Sequence, residues 1–291
     1  MGAAPFDYLS VESYDDAVEA LQQGGDEARV IAGGQSLLAM MNLRLARPSM
    51  LVDLNPIGSE PPAADGGTLR LGALTRYRSL LEEPLVQLHC PLLAEAAWYV
   101  GNVRVRNRGT IAGSLAHADP TSELAAACIV LGTSVVAQGP QGTRTIALDD
   151  LLVSYLTTSL ESAEVITDVL VPCRQQREGF GFKEMVRRTS DLAIVAAAAR
   201  VRLEGGEGVV SEVALSLAGV SDRVLLVGGD LLAGLVGSPL DRARLFELTT
   251  DVAASTEPPS DVHASGEYRR RLVEVLSRRA IEAAFEQARS A

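Results

Sequence analysis

The last third of the chain limits the fold more than any other stretch. Residues 180–187, 194–203 and 209–217 read as three successive strands, with a glycine turn at Gly205-Gly206. Helical patterns follow at 239–253 and 267–287. The second of these carries Leu272, Leu276, Ala280 and Ala284 on one face and arginines on the other. Strands in a row, then helices in a row, do not alternate as a doubly wound parallel sheet requires, so the expected class is α+β. The first part is mixed. Ser13 opens a helix with an apolar stripe at Ala17, Val18 and Leu21 and a stop at Gly24-Gly25. Short strands at 29–32 and 50–54 flank a helix at 37–43, and this β-α-β unit ends in a Pro-, Ala- and Gly-rich loop at 57–67, which marks a subdomain boundary. Beyond it come a strand at 69–71, a helix capped by Thr75, first-turn prolines at Pro84 and Pro91, and a helix at 91–99. Then follow a helix at 120–131, a hairpin at 134–147 and a strand at 164–171 closed by Pro172. A length of 291 residues suits about two domains.

Composition removes several function classes. The net charge is −11 with acidic residues spread along the chain, which leaves no basic face for a nucleic acid. No apolar run approaches the roughly 18 residues that cross a bilayer, and residues 1–10 lack the basic and apolar regions of a secretory signal. Cys90, Cys128 and Cys173 lie far apart and there are three His, so neither a disulfide framework nor a metal site is expected, and a reducing, cytoplasmic setting fits. Lys183 is the sole lysine among 26 basic residues. A GC-rich genome accounts for the arginine bias; a lone lysine suits a place where a compact ammonium fits and a planar guanidinium does not.

Two segments could carry chemistry. In Ala32-Gly33-Gly34-Gln35-Ser36, paired glycines between a strand and a helix let successive N–H groups converge on an anion, or simply make a tight turn. The segment is neither a phosphate loop with Gly-Lys-Ser/Thr nor a GxGxxG fingerprint. The second runs Thr110-Ile-Ala-Gly113-Ser114-Leu-Ala-His117-Ala-Asp119-Pro120-Thr-Ser-Glu123. Thr110, Ser114, His117 and Asp119 offer polar groups, Gly113 allows close approach, and Asp119-Pro120 with Glu123 also reads as a helix start. Two such cradles on neighbouring elements can grip one long phosphate-bearing ligand.

Together these segments resemble the paired FAD motifs of the flavoprotein (medium) subunit of molybdenum hydroxylases, the family of the carbon monoxide dehydrogenase medium chain and the xanthine dehydrogenase FAD domain. The resemblance continues through Val165-Ile-Thr-Asp-Val-Leu-Val-Pro172, Phe182-Lys183 with Arg187-Arg188 and Asp191, and Ala264-Ser-Gly-Glu-Tyr-Arg-Arg270, covering the chain in order. It implies a two-subdomain FAD-binding unit of the vanillyl-alcohol-oxidase (PCMH) type at 1–173, with subdomains at about 1–57 and 58–173, then a smaller α+β C-terminal domain at 178–288 with a three-stranded sheet and helices. By position, Arg29, Val30, Ile31, Ala32, Gly33, Gly34, Gln35, Ser36 and Leu37, with Thr110, Ala112, Gly113, Ser114, His117 and Asp119, hold the FAD diphosphate and flank the flavin. Val100 supplies an apolar contact, Glu123 an acid near the adenosine, and Ile166 and Lys183 approach the adenine and the isoalloxazine ring. A lysine there favours negative charge on the reduced flavin.

What the resemblance implies is an electron-transfer subunit with no catalytic acid, base or nucleophile of its own. Substrate is oxidised at a molybdopterin cofactor in a separate large subunit. Electrons pass through 2Fe–2S clusters in a small subunit to FAD and on to a quinone, NAD or oxygen, within a dimer of heterotrimers. The setting is cytoplasmic, or peripheral at the inner membrane face when the acceptor is a quinone. Two departures stand out. Ala112 replaces a usual glycine and so needs an ordinary φ, and Leu192 stands where several relatives carry a tyrosine over one flavin face. The alternating Arg104, Arg106 and Arg108 read either as a solvated loop face or as contacts to an acidic partner or to FAD phosphates. The rival functions are a self-sufficient FAD-dependent oxidoreductase and a flavin-free structural subunit.

Overall fold

Three larger sheets and a two-stranded one, Leu152–Ser154 with Thr157–Thr158, organise the chain in the computed structural model, which describes every residue except Met1, Gly206 and Glu207. The first is parallel, with Met50–Asp53 between Asp7–Ser10 and Ala28–Ile31. Its centre is apolar, with Leu51 and Val52 buried. Helix Tyr14–Gly24 makes the crossover, capped by the Ser13 hydroxyl, which accepts from Asp16 N. It buries Ala17, Val18 and Leu21 together with Val52. The second sheet is antiparallel, in the order Ala63–Asp65, Thr68–Gly72, Val165–Pro172, Ser134–Gly139, Gly142–Ala147. A largest buried cluster joins it to helices Pro91–Tyr99, Ile111–His117 and Glu123–Val130.

The third sheet runs Glu178–Met185, Val195–Glu204, Val209–Ala218, Leu225–Leu226, all antiparallel. The three long strands are those expected, and the two-residue Leu225–Leu226 adds a fourth where three were expected. It is too short to show a periodicity. Of the expected turn, Gly205 has φ +62° and Gly206 lies outside the described residues. Helix Gly266–Ser290 packs on this sheet through Leu272, Leu276, Ala280 and Ala284, and helix Arg242–Ala254 packs beside it.

The edge strand Glu178–Met185 joins the two halves, because its two faces serve different cores. A Cβ on Gly179 would sit 2.1 Å from Ala284 O, and one on Gly181 2.2 Å from Ala280 O, so only glycine lets the C-terminal helix lie this close. Phe180 and Phe182 turn the other way and join the cluster of the first half, the Phe182 ring lying 5.1 Å from that of Tyr99. Helix Glu123–Val130 is tied to the same sheet from the other side, where Ser216 Oγ donates to Ala126 O at 2.6 Å and Gly219 N to Pro120 O at 2.8 Å.

Several local expectations are corrected. Arg104, Arg106 and Arg108 lie on a helix, Val103–Arg108, not on a loop, because Asn102 Oδ1 caps it by accepting from Arg104 N and Val105 N. The helix placed at 120–131 is Glu123–Val130, capped by Ser122, while Asp119 turns its carboxylate onto Thr121. Thr75 caps nothing; its hydroxyl meets Ser59 Oγ at 3.1 Å. Strand Asp7–Ser10 is exposed along its length, so no alternation marks it, and Ala63–Asp65 pairs inside the stretch read as a boundary loop.

Candidate functional site

The first glycine loop sits at the end of strand Ala28–Ile31 and feeds helix Leu37–Asn42. Gly34 has φ +70°, the left-handed region that favours glycine. Gly33 is required for another reason. A Cβ there would lie 2.4 Å from Arg108 O and 2.8 Å from Gly109 Cα, so this loop is packed directly on the stretch that leads into Thr110. Asn55 and Arg76 lock the contact. Asn55 Nδ2 donates to Ala32 O at 2.9 Å, and Arg76 donates both to Asn55 Oδ1 at 2.5 Å and to Arg108 O.

The loop's carbonyls and amides are treated oppositely. Ala32 O, Gly33 O, Gly34 O and Ser36 O accept from Asn55 Nδ2, Gln35 Nε2, Leu38 N and Met40 N. The amides of Gly33, Gly34, Gln35, Ser36 and Leu37 donate to no protein acceptor among the described residues, and Ser36 gives no side-chain cap. Five consecutive N–H groups without a protein acceptor, on residues partly open to solvent, are a donor set suited to an anion. A diphosphate fits that donor set.

The second motif is built differently. Thr110, which is buried, caps helix Ile111–His117. Ile111 N donates to Thr75 O, Ala112 N to Ala73 O, Gly113 N to Thr110 Oγ1 and Ser114 N to Thr110 O, at 3.0–3.2 Å. All four leading amides are thus engaged, and what this motif leaves for a ligand is its side chains. Gly113 serves the cap, since a Cβ would lie 2.6 Å from Thr110 Oγ1. Ala112 is buried and lies outside the positive-φ residues, as its side chain demands. Ala118, at φ 52°, ends the helix and turns the chain toward Asp119. Left for a ligand are partly exposed side chains: Ser114, whose Oγ meets Ser122 Oγ at 3.0 Å, His117, and Asp119. Replacing Thr110 by valine is expected to cost about 1–2 kcal/mol of stability by stripping the cap, measurable by denaturant unfolding.

The remaining expected residues scatter around this centre. Arg29 is exposed and turns back to donate to Asp26 O and Ala28 O. Val30, Ile31 and Val100 are half-buried, and Ile166 is buried at a bulge in strand Val165–Pro172. Lys183 donates to Phe182 O at 2.9 Å and lines a groove with Leu240, Arg242, Arg279 and Glu282, away from the first loop. Glu123 is buried at the first position of its helix. Burial pushes its carboxyl up to about 8, and the charges of Glu184 and Asp119 add to the rise. Sequence reading missed Asn55 and Arg76, for which Asn55-Pro56 signals only a strand end. It missed Tyr77 as well, which is buried and whose hydroxyl is pushed up to about 12 by burial. Among the described residues no group of three or more His, Cys, Asp or Glu is placed to hold a metal, and no helix is long and apolar enough to cross a membrane.

The family model for the FAD binding domain in molybdopterin dehydrogenase matches residues 4–174, and that for the CO dehydrogenase flavoprotein C-terminal domain matches 180–284. The 6-hydroxypseudooxynicotine dehydrogenase complex subunit alpha of Paenarthrobacter nicotinovorans is 36% identical over 98% of this chain and 96% of its own length. The carbon monoxide dehydrogenase medium chain of Hydrogenophaga pseudoflava is 34% identical over 96% and 97%. In three dimensions the chain matches a Hydrogenophaga pseudoflava carbon monoxide dehydrogenase that lacks the Mo-pyranopterin moiety of the molybdenum cofactor. The TM-score is 0.95, with 33% identity and 99% of each chain covered.

Proposed function

The chain belongs to the family of FAD-binding flavoproteins of molybdopterin dehydrogenases, and from that premise we propose that it is the electron-transferring FAD subunit of a molybdenum hydroxylase. Residues 1–173 form the FAD-holding unit and 178–288 the domain that closes against it. Substrate is oxidised at a molybdenum cofactor in a separate large subunit. Electrons arrive through 2Fe–2S clusters of a small subunit and leave to a quinone, NAD or oxygen, the assembly being a pair of heterotrimers. Its place is the cytoplasm, at the inner membrane face where the acceptor is a quinone.

The observation that carries this reading is the row of unengaged amides from Gly33 to Leu37, butted against Arg108 and Gly109. FAD, when bound, supplies the centre that takes up and releases electrons. The chain's own residues hold it. The amides of 33–37 bind the diphosphate and exclude water from it, while Ser114, His117 and Asp119 add side-chain contacts. Val100 and Ile166 give apolar surface, and Glu123 accepts from hydroxyl groups.

Native mass spectrometry of the tagged chain from its own host tests the proposal. The expected species carries FAD and holds a large molybdenum subunit and a small iron–sulfur subunit. A lone chain with FAD would instead establish the self-sufficient oxidoreductase, and a complex without flavin the structural subunit.

A further inference from the structure

Glu123 and Glu184 lie on elements packed against each other at the seam between the halves. Glu123 is 6% exposed, and its helix is fixed to the C-terminal sheet through Ser216 and Gly219. Glu184 lies on the edge strand opposite Ala196, itself opposite Ala218, the neighbour of the Gly219 that bonds Pro120. Strand alternation puts it with Phe180 and Phe182 on the face turned to the first half, opposite to Gly179 and Gly181. Its Oε2 is buried and has no hydrogen-bond partner among the described residues. Among the described residues neither carboxylate makes an ion pair. The titratable groups around them are Asp119 ahead of the helix, Tyr77, and Glu95 and Tyr99 on helix Pro91–Tyr99. Lys183, next to Glu184 on the strand, lies in electrostatic reach of Glu95.

A carboxylate held away from water without a cation is costly unless hydrogen-bond donors reach it. Here the chain offers Glu184 Oε2 no donor among the described residues. We propose that Glu184 joins Glu123 as a second acceptor in the cofactor site, the pair receiving hydroxyl or ring N–H donors of FAD. This rests on the FAD reading above and adds a polarity to the site. Phosphate oxygens go to the amides of 33–37, whereas the carboxylates repel phosphate and take the sugar hydroxyls or ring N–H groups.

The pair also makes retention of FAD depend on pH. Burial holds Glu184 up at about 7 and Glu123 at about 8 in the cofactor-free chain. Donors from FAD favour the ionised carboxylates, so binding expels protons. Affinity therefore rises with pH through about 6 to 8 and levels off above it.

The test uses the full chain stripped of cofactor and of divalent cations, titrated with FAD by quenching of flavin fluorescence at acidic and alkaline pH. Wild type is expected to tighten by ~10-fold or more between about pH 6 and 8.5, the change one charge-assisted pair supports. Glu184→Gln is expected to bind ~10-fold more weakly at the alkaline pH, to lose most of the rise, and to melt no lower than wild type without FAD, since an unanswered buried charge is gone. Glu184→Asp keeps the rise. Equal affinity of Glu184→Gln and wild type at alkaline pH overturns this inference and leaves the FAD reading standing. Binding that requires added calcium or magnesium overturns it too, and a wild-type chain that takes no FAD at either pH overturns both.

Discussion

Gly33→Ala is expected to weaken FAD binding by up to ~100-fold, because the new Cβ has nowhere to go. At 2.4 Å from Arg108 O and 2.8 Å from Gly109 Cα it meets backbone on both sides, so the two motifs must part. Overpacking of this kind costs about 1–3 kcal/mol, and every 1.4 kcal/mol is tenfold in affinity. The displacement also tilts the row of amides from 33 to 37 that receives the diphosphate. Gly228→Ala is the matched control, since a Cβ at Gly228 meets nothing within 4 Å. Fluorescence titration of both variants checks the prediction. A Gly33→Ala chain that holds FAD as tightly as Gly228→Ala removes the first loop from the binding site.

The second large effect concerns stability. Arg269 is 4% exposed and reaches three acceptors on three different segments. Nη1 donates to Ile194 O and Gly219 O, the latter at 2.9 Å, and Nη2 pairs with Asp261 at 2.7 Å. It thereby pins the long C-terminal helix to the ends of strands Val195–Glu204 and Val209–Ala218. Gly219 itself donates to Pro120 O, just ahead of Glu123. Arg269→Ala leaves these acceptors unpaired and is expected to cost about 3–5 kcal/mol, read by chemical denaturation of the cofactor-free chain. Arg269→Lys should recover only part of that, because a point charge cannot span three acceptors as the planar guanidinium does. This explains why the Ser-Gly-Glu-Tyr-Arg-Arg stretch belongs to the resemblance although it touches no expected ligand.

Much of the architecture was legible in residue patterns. The long strands and the last helix announce themselves because each buries a continuous apolar set, and Leu272, Leu276, Ala280 and Ala284 all fall on the packed face. Segments whose partners are distant were harder. Asp7–Ser10 is a strand only because Met50–Asp53 lies beside it, and its exposed residues carry no alternation. Arg104-Val105-Arg106-Asn107-Arg108 alternates as a strand or loop face would, but Asn102 starts a helix through it.

At the site, Gly33-Gly34 was readable as an anion turn, and the unengaged amides give that reading its physical content. The second motif was only half readable. Thr110 followed three residues later by Gly113 looks the same whether the glycine clears space for a ligand or for the cap, and the cap uses it here. That the elements of Glu123 and Glu184 pack on one another could not be seen at all. A helix start and a strand end are brought together only by the packing of the two halves.

Amide hydrogen exchange of the full chain with and without FAD tests the central claim most directly. Slowed exchange at Gly33 to Leu37 on adding FAD, with Ile111 to Ser114 already slow and unchanged, is the predicted result. Unchanged exchange at Gly33 to Leu37 in a chain saturated with FAD would contradict it, and the cofactor would have to be held elsewhere.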